Sequence, residues 1–186
     1  IIEVSVGGEP VKYEFDKASG ALFVDRFLHT PMRYPANYGF VPHTLGEDGD
    51  PLDVLVLLDR ELFPGIVAKV RPVAVLKMSD EAGGDDKLVA VLSKDPRWAH
   101  IQDIDDVPDF ELKAIEHFFL HYKDLEPNKE VSGSGWGDKA EAEKQKKIAE
   151  IRARREQAEK EAKLAERKLR EVAAARNAAG SAAAGA

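Results

Sequence analysis

The sequence predicts a β-rich α+β protein: a small, mostly antiparallel barrel followed by helices. Three observations carry this. Residues 1–92 divide into short alternating or β-branched apolar runs separated by Gly-containing turns. Residues 109–123 change to the helical period. Residues 138–176 form a charged, alanine-rich run without Pro or Gly.

Val4 and Val6 alternate with Glu3 and Ser5. Val11, Tyr13 and Phe15 alternate with Lys12, Glu14 and Asp16, the period-two pattern of a half-buried strand. Gly7-Gly8 and Ser19-Gly20 mark the intervening turns. Further strands are predicted over 21–27, 54–58, 66–78 and 87–92. In the second strand Lys12, Glu14 and Asp16 share one face, so a cation and a carboxylate project together two residues apart. Phe110, Ala114, Ile115, Phe118, Phe119 and Tyr122 mark the helix, with Asp109 and Glu111 favouring its N-terminus. This divides the chain into a main domain (1–131), a Gly/Ser loop (132–137), a long charged helix (138–176) and a disordered Ala/Gly tail (177–186). The apolar positions of the long helix (Ile148, Ile151, Leu164, Leu169, Val172) sustain no heptad. Its removal is expected to leave the function of the main domain intact.

The charge is uneven. The chain carries −7 overall, but residues 138–176 hold 13 Lys and Arg against 9 Asp and Glu, leaving 14 against 25 in residues 1–137. A body this acidic suits cations and argues against nucleic acid as a partner. The absence of cysteine excludes disulfides, thiolate metal sites and a Cys nucleophile. No apolar run reaches membrane-spanning length, and no secretory pattern opens the sequence, so no membrane partner and a cytoplasmic location are expected. The chain begins at Ile1 inside a strand pattern, so residues upstream are expected.

Asp48, Asp50 and Asp53 lie within six residues, flanked by Glu47, and a second group (Asp80, Glu81, Asp85, Asp86) occupies a Gly-containing turn. Either group alone reads equally well as a solvated turn. Together they would repel unless a cation lay among them. All the ligands are hard oxygens, which favours Mg²⁺ or Mn²⁺ over Zn²⁺ or Cu²⁺. An EF-hand fails because Leu52 stands where the loop needs another residue and no Glu follows at the right offset. Lys12, Arg26, Lys87 and Lys123 lie on or beside structured elements, and Tyr34, Tyr38 and Tyr122 can donate to an anion. Each lone cation reads better as surface charge; jointly they suit a phosphorylated substrate bridged by metals. The histidines (His29, His43, His100, His117, His121) lack ligand spacing to the acidic turns, Trp98 reads as a packed loop residue, and Ser19, Ser79 and Ser93 lack a His/Asp partner set.

The motif Asp48-Gly-Asp-Pro-Leu-Asp53-Val54 resembles the signature of family I soluble inorganic pyrophosphatases, particularly bacterial ones. Further matches in family order are Lys12-Tyr-Glu-Phe-Asp-Lys17, Gly20-Ala-Leu-Phe-Val-Asp-Arg26, Tyr34-Pro-Ala-Asn-Tyr-Gly39, Val75-Leu-Lys-Met-Ser-Asp-Glu-Ala82 and His121-Tyr-Lys-Asp-Leu-Glu126. The resemblance spans residues 1–137. It implies an OB-like five-stranded barrel with flanking helices, a homohexamer, and hydrolysis of pyrophosphate with three or four Mg²⁺. By that resemblance Asp48, Asp53 and Asp85 hold the tighter metals, Asp80 joins Asp85 on a metal arriving with substrate, Glu14 reaches another ion through water, and Glu3 is an outer-shell acid. Asp50 matches the general base, with Tyr38 near the nucleophile. Lys12, Arg26, Lys87, Tyr122 and Lys123 match the phosphate binders. The chain departs from the family at Asn128-Lys-Glu-Val-Ser-Gly-Ser, where a Trp near 130 is missing, and in its longer terminal helix. Two other readings stand beside this one: an OB-type module binding single strands or oligosaccharide, and a non-catalytic scaffold that binds through the basic helix.

Overall fold

The computed structural model describes the backbone of residues 1–80 and 83–184, with side chains through Glu171. Glu81 of the second acidic group lies outside the described residues, as do the last two residues of the tail. The strands are β1 (Ile2–Val4), β2 (Val11–Asp16), β3 (Ala21–Phe27), β4 (Asn37–Phe40), β5 (Asp53–Leu57), β6 (Val70–Asp80), β7 (Gly83–Gly84), β8 (Lys87–Leu92) and β9 (Val131–Gly137). The helices are α1 (Asp109–His121) and α2 (Lys139–Ala184). The predicted strands are present, although β6 begins at Val70 rather than Ile66, and Val6 lies in a turn.

The main sheet runs β1-β4-β5-β8-β6-β7, with β9 also on β6, and β2–β3 form a separate hairpin. Among the described strands β5–β8 is the one parallel pair. β5 and β8 are apolar along nearly their whole length because both sheet faces are covered. One face packs Leu55, Leu57, Val89 and Val91 against α1 residues Ile115, Phe118 and Phe119. The other packs Val54, Val56, Val75, Leu88 and Ala90 with Ala142 and Ala149 of α2. β1 crosses β4 so closely that a Cβ on Gly39 would lie 1.9 Å from the Ile1 carbonyl oxygen. Only glycine fits there.

Three parts of the chain differ from the sequence reading. Residues 132–137 are not a loop: β9 pairs with β6 from Val75↔Gly137 to Asp80↔Val131. Its glycines permit close packing, since a Cβ at Gly137 would approach Val75 Cγ1 to 2.8 Å. The first turns of α2 are also part of the body rather than an appendage, because Ala142 and Ala149 are buried in the core. The helix then runs to Ala184, past the Asn177 at which a disordered tail was expected; alanine there is the strongest helix former. No described helix is long and apolar enough to cross a membrane.

The two parts of α2 therefore differ in importance. Deleting residues 138–186 strips one sheet face and is expected to lower the melting temperature by roughly 10 °C or more. Deleting only 157–186 is expected to leave it nearly unchanged. Thermal denaturation followed by circular dichroism checks both.

Candidate active site

Every residue to which the resemblance gave a role lines one cleft of about 230 Å³, whereas Glu47 and Asp86 of the acidic turns lie outside it. That is smaller than the ~300–1,000 Å³ usual for drug-sized ligands, so the cleft suits a compact one. The parallel pairing of β5 and β8 sets its centre. Asp53 and Lys87, the first residues of these strands, are register partners. Lys87 Nζ donates to both Asp53 and Asp85. On the other side of β5, Tyr38 stands opposite Leu55, on the same face as Asp53, and its hydroxyl donates to Asp53 Oδ2 at 2.6 Å.

The turn before β5 supplies Asp48 and Asp50. Asp48 Oδ1 accepts the Asp50 N–H at 3.0 Å, and the Gly46 N–H donates to the Asp50 carbonyl at 2.7 Å. Asp80 closes β6 and accepts from Lys123 Nζ at 3.0 Å. Tyr122 and Lys123 follow α1 directly, and the Tyr122 ring stacks on Phe118 with centroids 5.1 Å apart. Tyr34 and Tyr38 continue this aromatic layer at 5.1 Å.

The β2–β3 hairpin forms the opposite wall. Lys12 and Arg26 are register partners, and Asp25 lies between them, 3.3 Å from Lys12 Nζ and 2.9 Å from Arg26 Nη1. Two cations face to face need such an anion. Lys12 is also 3.9 Å from Glu14, and Arg26 Nε is 3.3 Å from Glu126. Glu3 of β1 fastens the hairpin to the sheet by accepting the Phe15 N–H at 2.8 Å. Sequence reasoning missed Lys17 and Lys129, which also line the cleft. Lys17 follows β2, off the alternation that drew attention to Lys12 and Glu14. Of the histidines, His117 and His121 lie with ring centroids 4.5 Å apart, tilted by 44°, on the exposed face of α1, away from the cleft lining.

Burial shapes the electrostatics. Desolvation raises Glu3 to about 7 and Asp85 to about 6, and it raises Asp48 as well; the charge of Asp53 adds to all three. Burial works against the charge on Lys87, but the attraction and hydrogen bonds of Asp53 and Asp85 outweigh it and hold the ammonium well above its ordinary range. Burial raises Tyr34 and Tyr38 well above the usual phenol range, so both remain hydrogen-bond donors.

The donor set fits a hard divalent cation. It is all oxygen, and burial, with a smaller contribution from neighbouring carboxylates, raises the proton affinity of Asp48 and Asp85, a cost that such a cation relieves. Among the described residues no three acidic or histidine side chains form a ready-made cage. Asp53, Asp85 and Asp80 are instead tied to Lys87 and Lys123.

Residues 1–156 match the family model for inorganic pyrophosphatase. The chain belongs to this family. A pyrophosphatase from Leifsonia xyli is 61% identical over 144 residues, 77% of this chain and 88% of that one. One from Corynebacterium glutamicum is 62% identical over 146 residues, 77% of this chain and 92% of that one. Among solved structures, an inorganic phosphatase from Anaplasma phagocytophilum superposes with a TM-score of 0.81 at 50% identity, covering 83% of this chain and 91% of that one. The pyrophosphatase of Thermus thermophilus gives 0.79 at 46%, covering 83% and 89%. The fold is thus the α+β, OB-like fold of the pyrophosphatases.

Glu3 has a testable consequence. Its carboxyl holds a proton in the folded chain up to about pH 7 but releases it near 4.5 when unfolded. The folded state therefore binds more protons between these values, and stability falls as pH rises through that window. In metal-free buffer Glu3→Gln is expected to remove on the order of 2 kcal/mol of this decline, leaving stability near pH 4.5 unchanged. Urea titrations at pH 4.5, 6 and 7.5 measure it.

Proposed function

We propose that this chain hydrolyses inorganic pyrophosphate to two phosphates, with Mg²⁺ bound by Asp48, Asp53, Asp80 and Asp85 and with Glu14 assisting. Three or four ions per site are proposed, and Mn²⁺ is a substitute of the same hardness. One observation carries the reading: a single compact cleft sets carboxylates from both acidic turns against a wall of cations. An OB-type module for single strands would offer stacking rings in a basic groove. Here Tyr34, Tyr38 and Tyr122 are all buried.

Asp50 is assigned as general base. Among the carboxylates lining the cleft in the described residues, it alone has no hydrogen-bond or ion-pair partner. Asp53 and Asp85 are held by Lys87, Asp80 by Lys123, Glu14 by Lys12, Glu3 by the Phe15 amide and Asp48 by the Asp50 amide. An unengaged, exposed carboxylate can accept a proton from water. Bound divalent cations would supply Lewis acidity, withdrawing charge from the phosphate oxygens and acidifying the attacking water.

Lys12 and Arg26 from the hairpin, and Lys87, Tyr122 and Lys123 from the sheet side, bind and orient the phosphates. As the water oxygen bonds to phosphorus, its proton passes to Asp50. The bridging P–O bond breaks, and its electron pair remains on the departing phosphate. The cations stabilise the charge that gathers there. Tyr38 fixes the orientation of Asp53. No covalent enzyme intermediate is needed.

A homohexamer in the cytoplasm completes the proposal. Exposed Phe23, Val24 and Phe27 on β3 and exposed Leu125 provide apolar surface for subunit contacts. Light scattering is expected to give a mass about six times that of the 20.5 kDa chain. Phosphate release from pyrophosphate is expected only with added Mg²⁺; metal-independent or absent turnover by folded protein would overturn the reading. Asp50→Asn is expected to bind metal and pyrophosphate yet lose about 10²-fold or more in kcat. Near-normal turnover would remove Asp50 as the base.

A further inference from the structure

The acidic turn carrying Asp48 and Asp50 is held from behind by α2. The Leu45 N–H donates to the Ala149 carbonyl at 3.0 Å, although that oxygen lies within the helix. Burial of Ala142 and Ala149 lets α2 lie this close to the sheet. Further along, Arg152 Nη2 donates to Glu47 Oε1 at 2.7 Å. The second Glu47 oxygen faces the other acidic turn, since a methyl group on Gly84 would lie 2.8 Å from Oε2. Gly84 directly precedes Asp85. The Glu47 carboxylate thus lies between α2 and the turn of Asp85, while its backbone leads into Asp48. A second cavity of about 250 Å³ is lined by Arg152, Gln145 and Lys77 of α2 and β6 together with Glu47, Asp48, Asp53 and Asp85.

Neither Glu47 nor Arg152 lines the catalytic cleft. Their side chains are 62% and 40% exposed, so the pair adds little to global stability. Its location is what gives it consequence. Asp48 and Asp53 come from one turn and strand, and Asp80 and Asp85 from another. A cation shared between these sets is sensitive to the distance between them. Supporting groups outside the ligand set commonly alter metal affinity by about 10–100-fold.

We infer that Glu47 and Arg152 are a positioning pair that ties the C-terminal helix to both acidic turns and fixes their spacing for divalent cation binding. The inference rests on the metal-dependent reading of the cleft. It assigns the start of α2 a part in the chemistry without contact with substrate.

The test uses the full chain carrying Arg152→Met, which keeps the stem without the charge, Arg152→Lys and Glu47→Gln. Amide exchange across residues 45–50 is measured on metal-free protein, and Mg²⁺ binding is measured by calorimetry. Pyrophosphatase activity is then titrated with Mg²⁺. Arg152→Met and Glu47→Gln are expected to speed exchange in the turn and weaken Mg²⁺ binding about threefold to tenfold. The melting temperature and the kcat at saturating metal are expected to change less, and Arg152→Lys is expected to restore most of the affinity. Wild-type exchange and affinity in both neutral variants would overturn the inference. Inactivity of the wild type would instead overturn the functional reading, and exchange and calorimetry would still decide the positioning role.

Discussion

The active site depends on one buried ammonium. Lys87 is 2% exposed and touches both Asp53 and Asp85. An unpaired charge at that depth would cost several kcal/mol, and so would either carboxylate left alone. The three groups are tolerable only together. The parallel register of β5 and β8 brings them together by making Asp53 and Lys87 partners at the strand starts. The apolar remainder of both strands holds that register, because a shift of one residue would turn Leu55 and Val89 away from α1 and break the core. Core packing and site geometry are therefore one constraint.

The remaining parts are arranged around this centre by charge. The sheet and the turns between its strands contribute most of the carboxylates, and the hairpin contributes Lys12 and Arg26 with Asp25 between them. Beneath them the rings of Tyr34, Tyr38, Phe118, Phe119 and Tyr122 form a stiff layer, with neighbouring centroids 4.7 to 6.1 Å apart. This layer excludes water from one side of the carboxylates and strengthens every electrostatic interaction above it. Burial likewise raises the proton affinities of Glu3 and Asp85.

Much of this was legible in the sequence where the signal is local. Alternation revealed β2, the 3.6-residue period revealed α1, and two acidic turns beside scattered cations suggested metals and phosphate. The family motifs then named the same residues that the fold gathers in the cleft. What escaped was non-local. The Gly/Ser stretch 132–137 has no strand propensity of its own and is extended because β6 supplies its hydrogen bonds. The ion pair of Arg152 with Glu47 joins positions 105 apart, and no pattern in either segment announces it. Lys17 sits off the strand alternation, so periodicity passed over it. The burial of Ala142 and Ala149 was hidden because alanine reads as helix propensity rather than as core.

The parallel pairing of β5 with β8 has a consequence for the order of events in folding. Parallel neighbours cannot close through a tight turn. All of β6 and β7 must be traversed between Asp53 and Lys87, and the cleft also needs Lys12 from near the start and Lys123 from beyond α1. Contacts so distant along the chain form late and slowly, after shorter hairpins such as β2–β3. The unfolded chain therefore never presents the assembled set of carboxylates. A cation that binds this set binds only the native state and stabilises it by mass action. The same ions that would serve hydrolysis would also hold the folded chain together.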